Sequence, residues 1–156
     1  MLVGDIMKTD VNTASQQDTF ADVAKVMHHN GISSVVVMAG DQLAGIVTER
    51  DIVNLIASGG DPYTTPVELG MTRRDIETVA PKTDITEAAE NMAARNIRHL
   101  PVIDKGKVVG IISIRDLTRW AAEELSGGHE MPDIRRSHTA LSAAAELQRK
   151  RVEAGQ

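Results

Sequence analysis

Gly45-Ile46-Val47-Thr48-Glu49-Arg50-Asp51 and Gly110-Ile111-Ile112-Ser113-Ile114-Arg115-Asp116 follow one plan: a glycine, two aliphatic residues, a hydroxyl, two further residues and a carboxylate. The copies stand 65 positions apart, from 45 to 110, and the same offset relates most of the chain from Val11 onward. A repeat of this period means that one small architecture is built twice. Each copy is near the lower size limit for an independent core and would gain by packing on the other.

A capped helix lies upstream of each motif. Thr19-Phe20-Ala21-Asp22 is a capping box, and Phe20, Val23, Ala24 and Met27 recur at helical spacing to make one apolar face. Gly31 supplies a left-handed stop. At the same offset, Asp84-Ile85-Thr86-Glu87 opens the second helix, Ile85, Ala88, Ala89 and Met92 form its face, and Asn96 replaces the terminal glycine. Two apolar runs around a tight turn follow in each copy, 32–38 and 43–47 about Gly40-Asp41, then 97–103 and 108–112 about Lys105-Gly106. They predict hairpins. Pro101 has no N–H for a ladder and marks an edge or a bulge. Each motif then opens a second helix, over about 51–58 and 115–126, closed by Gly59-Gly60 and Gly127-Gly128.

Each copy is therefore helix, strand, strand, helix. That order predicts an α+β fold, a small sheet with two helices packed on one face. The lead-in Gly4-Asp5-Ile6-Met7 is echoed by Leu69-Gly70-Met71 at an offset of 64, one short of the rest. The expected organisation is a first repeat over 1–62, a second over 63–126 and a tail over 127–156. In the tail, 129–137 reads as loop and 139–153 as good helix formers. The small apolar residues there suit at best a helix docked on a partner surface, or a frayed or disordered segment.

Composition excludes several functions. Apolar residues make up 42% of the chain, yet no run approaches the roughly 18 residues of a membrane span. The N-terminus does not read as a signal peptide, so a soluble cytoplasmic protein is the default. With Cys 0 there are neither disulfides nor thiolate metal sites. A net charge of −5, and Phe20, Tyr63 and Trp120 as the sole aromatic rings besides histidine, argue against a nucleic-acid partner. Adjacent His28 and His29 point apart on a helix, and His129 and His138 lack ligand spacing, so no metal site is expected. Met7, Met27, Met71 and Met92 read as core. Trp120 reads as packing or interface. Arg135-Arg136 and Arg149-Lys150-Arg151 read as a solvated helix face or a partner contact. No nucleophile–base set, phosphate loop or acidic metal cluster is visible, and the repeat uses nearly all of the chain. No enzyme and no required cofactor are expected.

The motif itself can do chemistry. Its glycine permits close approach of a ligand or another backbone. Its hydroxyl, Thr48 or Ser113, sits where a strand becomes a helix, near free N–H groups and the positive end of the helix dipole, a ready anion site. Its carboxylate, Asp51 or Asp116, would repel phosphate but can accept from the hydroxyls of a ribose, a charge-assisted bond of roughly 1.5–3 kcal/mol. The same residues are also ordinary capping boxes, worth about 1 kcal/mol with no ligand at all.

This ordered set resembles the cystathionine β-synthase-type (CBS) domain pair, or Bateman module. The resemblance rests on Val3-Gly4-Asp5-Ile6-Met7, Gly31-Ile32-Ser33-Ser34-Val35, Ile97-Arg98-His99-Leu100-Pro101-Val102 and the two motifs. It implies two tandem repeats related by a pseudo-twofold, binding AMP, ADP or ATP, or less readily S-adenosylmethionine or NAD, between the halves. It also implies signalling to a partner and pairing into a homodimer. The resemblance favours a ligand role for Asp116 and leaves Asp51 open.

By the same resemblance, the Asp116 site would comprise Thr13, Ile32, Arg98, His99, Ile111 and Ser113. The Asp51 site would comprise Thr78, Val79, Ile97, Ser33, Ser34, Ile46 and Thr48. Arg98-His99 stand where the first copy has Ser33-Ser34. Arg98 can hold a phosphate bidentately, unless it is merely a solvated sheet-edge cation. A phosphorylated nucleotide is therefore expected at Asp116, and a less charged adenosyl compound or nothing at Asp51. The rival expectation is a ligand-free interaction module that recruits a partner through its C-terminal helix.

Overall fold

The computed structural model describes residues 1–127 and 133–155. The first copy comprises β1 (Thr13–Ser15), α2 (Phe20–Asn30), β2 (Ser34–Ala39), β3 (Gln42–Thr48) and α3 (Glu49–Ala57), preceded by α1 (Val3–Ile6). After a 3-10 turn at Val67–Leu69 come α4 (Ile85–Arg95), β4 (His99–Asp104), β5 (Lys107–Ser113), α5 (Ile114–Ser126) and α6 (Ile134–Ala154). The expected helix, strand, strand, helix order is present twice.

The local signals explain the boundaries. Thr19 caps α2 by accepting the Asp22 N–H, and Gly31 ends it in the left-handed region at φ 62°. Asp84 caps α4 by accepting the Thr86 N–H, and Asn96 ends it at φ 55°. Phe20, Val23 and Met27 of α2 are buried with Val35, Val37 and Val47 of the strands. Ile85, Ala88 and Met92 of α4 are buried with Leu100, Val102 and Ile112.

The chain packs as two units. One gathers Met1–Thr9, Thr78–Asp104 and Val109–Gln156, and the other Asp10–Glu77 and Lys105–Val108. Packing thus does not follow the order of repetition. The first lead-in joins the second copy, the second lead-in joins the first, and the tail joins the second copy. The motif glycines show why. A Cβ on Gly110 would lie 2.5 Å from Met7 Sδ and 3.0 Å from Lys8 O, and one on Gly45 would lie 2.5 Å from Met71 Sδ and 2.8 Å from Thr72 O. The close approach that these glycines permit is made by a lead-in. Lys8 exchanges both backbone hydrogen bonds with Ile111 at 2.9 Å, and Thr72 does the same with Ile46 at 3.0 Å.

The sheets differ for one local reason. β1 pairs parallel with β2 over Thr13–Ser15, and β2 pairs antiparallel with β3. In that ladder the Val36 N–H donates to Asn12 O at 3.2 Å. The equivalent of Val36 is Pro101, which has no N–H to give. Pairing in the second copy shrinks to the single bridge Val79–Val102, beside the two-stranded β4–β5 sheet. Pro101 is buried within β4, and its carbonyl accepts from the Val79 N–H at 3.1 Å.

The tail departs from expectation. Residues 134–137, expected as loop, already belong to α6, whose N-cap Asp133 accepts the Arg136 N–H. The expectations for Gly128, His129 and the loop through 132 lie outside the described residues. Nor is α6 a frayed segment or one awaiting a partner for its inner face. It buries Ala140, Ala143 and Leu147 in the cluster that holds Ala89, Ala93 and Trp120. Small side chains let helix axes approach closely, so the feature that weakens the sequence signal enables this packing. Arg136 clamps one end of α6, donating to Asp84 Oδ2 at 3.0 Å and to Asp133 Oδ2 at 2.6 Å. At the other end Lys150 donates to the Ala93 carbonyl at 2.6 Å. These ties run from start to start and from end to end, so α6 lies parallel to α4.

Candidate functional site

Each motif sits at a corner where a strand passes directly into a helix. In the second copy Ser113 caps α5, and both its N–H (2.9 Å) and its Oγ donate to Asp116 Oδ2. Ser113 Oγ also accepts the Asp116 N–H at 3.3 Å. In the first copy the Thr48 N–H donates to Asp51 Oδ2 at 2.8 Å and Thr48 Oγ1 donates at 3.2 Å. One carboxylate oxygen of each acid is thus committed to the cap. The other, Oδ1, is the oxygen turned to the surroundings.

Those surroundings differ in charge. Asp116 is 8% exposed, and Lys8 Nζ lies 3.6 Å from its Oδ1. Arg98 is held against the same corner, because its carbonyl accepts the first N–H of α5, from Ile114, at 2.9 Å. His99 follows at the start of β4. Burial holds His99 well below the usual imidazole range, at about 4; Arg98, Arg115 and Lys8 push it the same way, against the pull of Asp116. Lys8 thus faces the Asp116 carboxylate, and the charges of Arg98, Arg115 and Lys8 all act on the His99 imidazole.

The first copy keeps the frame with less of the charge. The Ser33 carbonyl accepts the first N–H of α3, from Glu49, at 3.1 Å. Ser33 and the buried Ser34 replace Arg98 and His99, and Thr72 replaces Lys8. Burial raises the Asp51 carboxyl above its ordinary value, against the lowering effect of the Thr48 hydrogen bonds. Arg50 matches Arg115, but the positions of Lys8 and Arg98 carry Thr72 and Ser33 instead.

Arg98, His99, Ile111, Ser113 and Asp116 fall in one unit, and Ser33, Ser34, Ile46, Thr48 and Asp51 in the other. Ile46 is buried and Ile111 half-buried, each beside its motif. Thr13, exposed, and Ile32, half-buried, belong to the unit of Asp51. Thr78, exposed, Val79, buried, and Ile97, half-buried, belong to that of Asp116. Sequence reasoning missed Lys8. Its signal was the lead-in echo, since the residue after Met7 is lysine and the residue after Met71 is threonine.

A second polar cluster, a notch lined by Asp84, Thr86, Asp133, Arg135 and Arg136, joins the first turns of α4 and α6. Thr86 and Arg136 hold Asp84 far below the usual carboxylate range, outweighing the larger single effect of burial. Arg136 is already engaged by two carboxylates, so the cluster fastens helices together.

The family model of the CBS domain matches residues 3–58 and 67–123. The chain is 30% identical to the CBS domain-containing protein YhcV of Bacillus subtilis over 132 residues, covering 85% of this chain and 94% of that one. The CBS domain protein PAE2072 from Pyrobaculum aerophilum, solved in complex with AMP, is similar at a TM-score of 0.70 and 28% identity, over 75% of this chain and 90% of that one. The CBS domain pair of protein MJ0100, solved with 5′-methylthioadenosine and S-adenosyl-L-methionine, is similar at a TM-score of 0.72 and 27% identity, over 78% of this chain and 96% of that one. Among the described residues no helix is long and apolar enough to cross a membrane.

Proposed function

The chain belongs to the CBS domain family, and on that premise we propose that it is a regulatory module whose Asp116 motif binds an adenine nucleotide of the AMP, ADP and ATP class. The observation that carries this reading is the charge difference between two otherwise matching corners. At Asp116 a helix N-terminus, Lys8, Arg98 and Arg115 surround a neutral His99. At Asp51 the corresponding positions are Thr72, Ser33, Arg50 and Ser34. A phosphate gains from the first arrangement and much less from the second. The Asp51 motif suits a less charged adenosyl compound such as 5′-methylthioadenosine, a ligand of the similar MJ0100 pair.

Binding signals by favouring one conformation over another, and the size of the response is set by the difference in affinity for the two. Calorimetry with AMP, ATP and 5′-methylthioadenosine tests the assignment. Arg98→Ala should weaken AMP and ATP by tenfold or more and leave 5′-methylthioadenosine within about twofold. Equal AMP affinity in wild type and Arg98→Ala would remove the phosphate assignment.

We also propose a homodimer paired through α3. Val53 and Ile56 on α3 are 63% and 57% exposed, whereas the equivalent of Ile56 on α5, Ala121, is fully buried in the cluster that α6 joins. Sedimentation of Ile56→Glu should shift a dimer towards monomer. A second reading is an interaction module without ligand, favoured by the fact that both caps are complete on their own. Its recruiting surface would be the outer face of α6, where Ile134, Leu141 and Val152 are exposed.

A further inference from the structure

We infer that Lys8 is a charge-selecting latch on the Asp116 site: it holds the Asp116 carboxylate when no ligand is bound and transfers its charge to the phosphate of an entering nucleotide. This rests on the adenine-nucleotide reading above.

The geometry supplies each part. Asp116 Oδ2 is occupied by the two donors of Ser113, so only Oδ1 can receive a ligand hydroxyl. Lys8 Nζ lies 3.6 Å from that oxygen. At this distance it pairs with the charge without making a short hydrogen bond, so a ribose hydroxyl that reaches Oδ1 can displace it. The Asp116 side chain is 7% exposed and that of Lys8 is 47% exposed. The carboxylate is therefore fixed, while the ammonium sits on a flexible stem that reaches water. The Lys8 backbone, by contrast, is pinned by its two hydrogen bonds to Ile111. Movement is confined to the side chain, whose charge acts on His99 together with those of Arg98 and Arg115.

Two opposite consequences follow. A neutral nucleoside must compete with Lys8 for Asp116 and gains nothing from the displaced ammonium. A nucleotide takes the same oxygen but returns a phosphate for Lys8 to bind. Lys8 thus penalises ligands without phosphate and rewards ligands with it. The first copy has Thr72 at the equivalent position and no such discrimination.

Lys8→Met separates the two effects in calorimetric titrations with adenosine, AMP and ATP. We expect adenosine to tighten about two- to fivefold, the range for releasing a half-exposed ammonium that makes no short hydrogen bond, and AMP and ATP to weaken about tenfold. Lys8→Arg should retain the wild-type order. If adenosine and AMP both bind but Lys8→Met moves them in the same direction, or moves neither, the latch is overturned and the adenine-nucleotide reading stands. If wild-type protein gives no saturable heat with either ligand at millimolar concentration, the reading and the latch fall together. The ligand-free thermal midpoint of Lys8→Met, which should fall by about 2–6 °C because a largely buried carboxylate loses a half-exposed cation, controls for a folding defect.

Discussion

Leu147→Ala tests whether α6 is an integral part of its unit. Leu147 is 5% exposed and packs in the cluster that contains Trp120. The substitution removes three carbons from a nearly full burial, a transfer loss of about 2.4 kcal/mol at roughly 0.8 kcal/mol per methylene. A cavity adds to this, but α6 is an outer helix and can settle inward, so the total belongs near 3 kcal/mol rather than at the upper end of the range. The better helix propensity of alanine returns only about 0.2 kcal/mol. For a chain of this size, about 3 kcal/mol lowers the melting midpoint by roughly 6–12 °C. The readout is built in, because Trp120 is the sole tryptophan and is 8% exposed. Urea unfolding followed by tryptophan emission should show an earlier transition. Leu141→Ala, at an outward position that is 40% exposed, should change stability by less than about 0.5 kcal/mol. If Leu147→Ala behaves like Leu141→Ala, the docking of α6 contributes nothing and the reasoning is wrong.

Other outcomes follow from single residues. His99 titrates near 4 when folded against an ordinary 6.5, so the unfolded chain takes its proton first. The stability this supplies is present above pH 6.5 and lost as pH falls towards 4, on the order of 3 kcal/mol. His99→Gln should flatten that slope in denaturant titrations across the window. Bound AMP should raise the imidazole titration seen by NMR, because an anion offsets the three cations. Ser137 is fully buried and its Oγ has no hydrogen-bond partner, so Ser137→Ala should stabilise by about 1 kcal/mol in urea unfolding. Gly110→Ala places a methyl against the Lys8 carbonyl. It should cost about 1–3 kcal/mol and weaken AMP by displacing Lys8, whereas unchanged AMP affinity would detach the lead-in from the site.

The repeat made most of the fold legible, because each device occurs twice and each copy checks the other. Thr19 with Asp22 and the stops at Gly31 and Asn96 sit where the pattern puts them, and Asp84 caps α4 as expected, but through the N–H of Thr86 rather than in a box closed by Glu87. What could not be read is what depends on partners distant in sequence. The pairing of Met7 with Gly110, rather than with Gly45 of its own copy, leaves no periodic trace. The docking of α6 rests on alanines, whose hydrophobic signal is weak although their packing is close. At the site, the hydroxyl-and-acid pairs were visible as residues but not as a division of labour between two carboxylate oxygens. Lys8 lay hidden because a lead-in lysine looks like any surface cation until its backbone is seen paired with Ile111.

That division of labour bears on whether a helix cap can also be a binding site. The two readings of Gly-x-x-(Thr/Ser)-x-x-Asp compete only if the cap consumes the whole carboxylate. It does not, because Ser113 takes Oδ2 of Asp116 twice and leaves Oδ1 to the lysine. A cap of this kind fixes the rotamer of the acid before any ligand arrives, so a hydroxyl that binds Oδ1 meets an oxygen already in place and no side-chain entropy remains to be lost. Structural and functional roles are then cooperative, and the frame can stay the same in both copies while specificity changes around it. The two corners match in frame and differ in charge: Thr48 and Ser113 hold their acids alike, while Lys8 and Arg98 have no charged counterparts at Thr72 and Ser33. The two copies share one scaffold, and two differences, Lys8 for Thr72 and Arg98 for Ser33, make one of them more electropositive. Moving those charges, with Ser33→Arg and Thr72→Lys together, should therefore confer AMP binding on the Asp51 corner of an Asp116→Ala protein. Calorimetry that finds no AMP binding in that triple variant would mean that the frame alone does not carry the site.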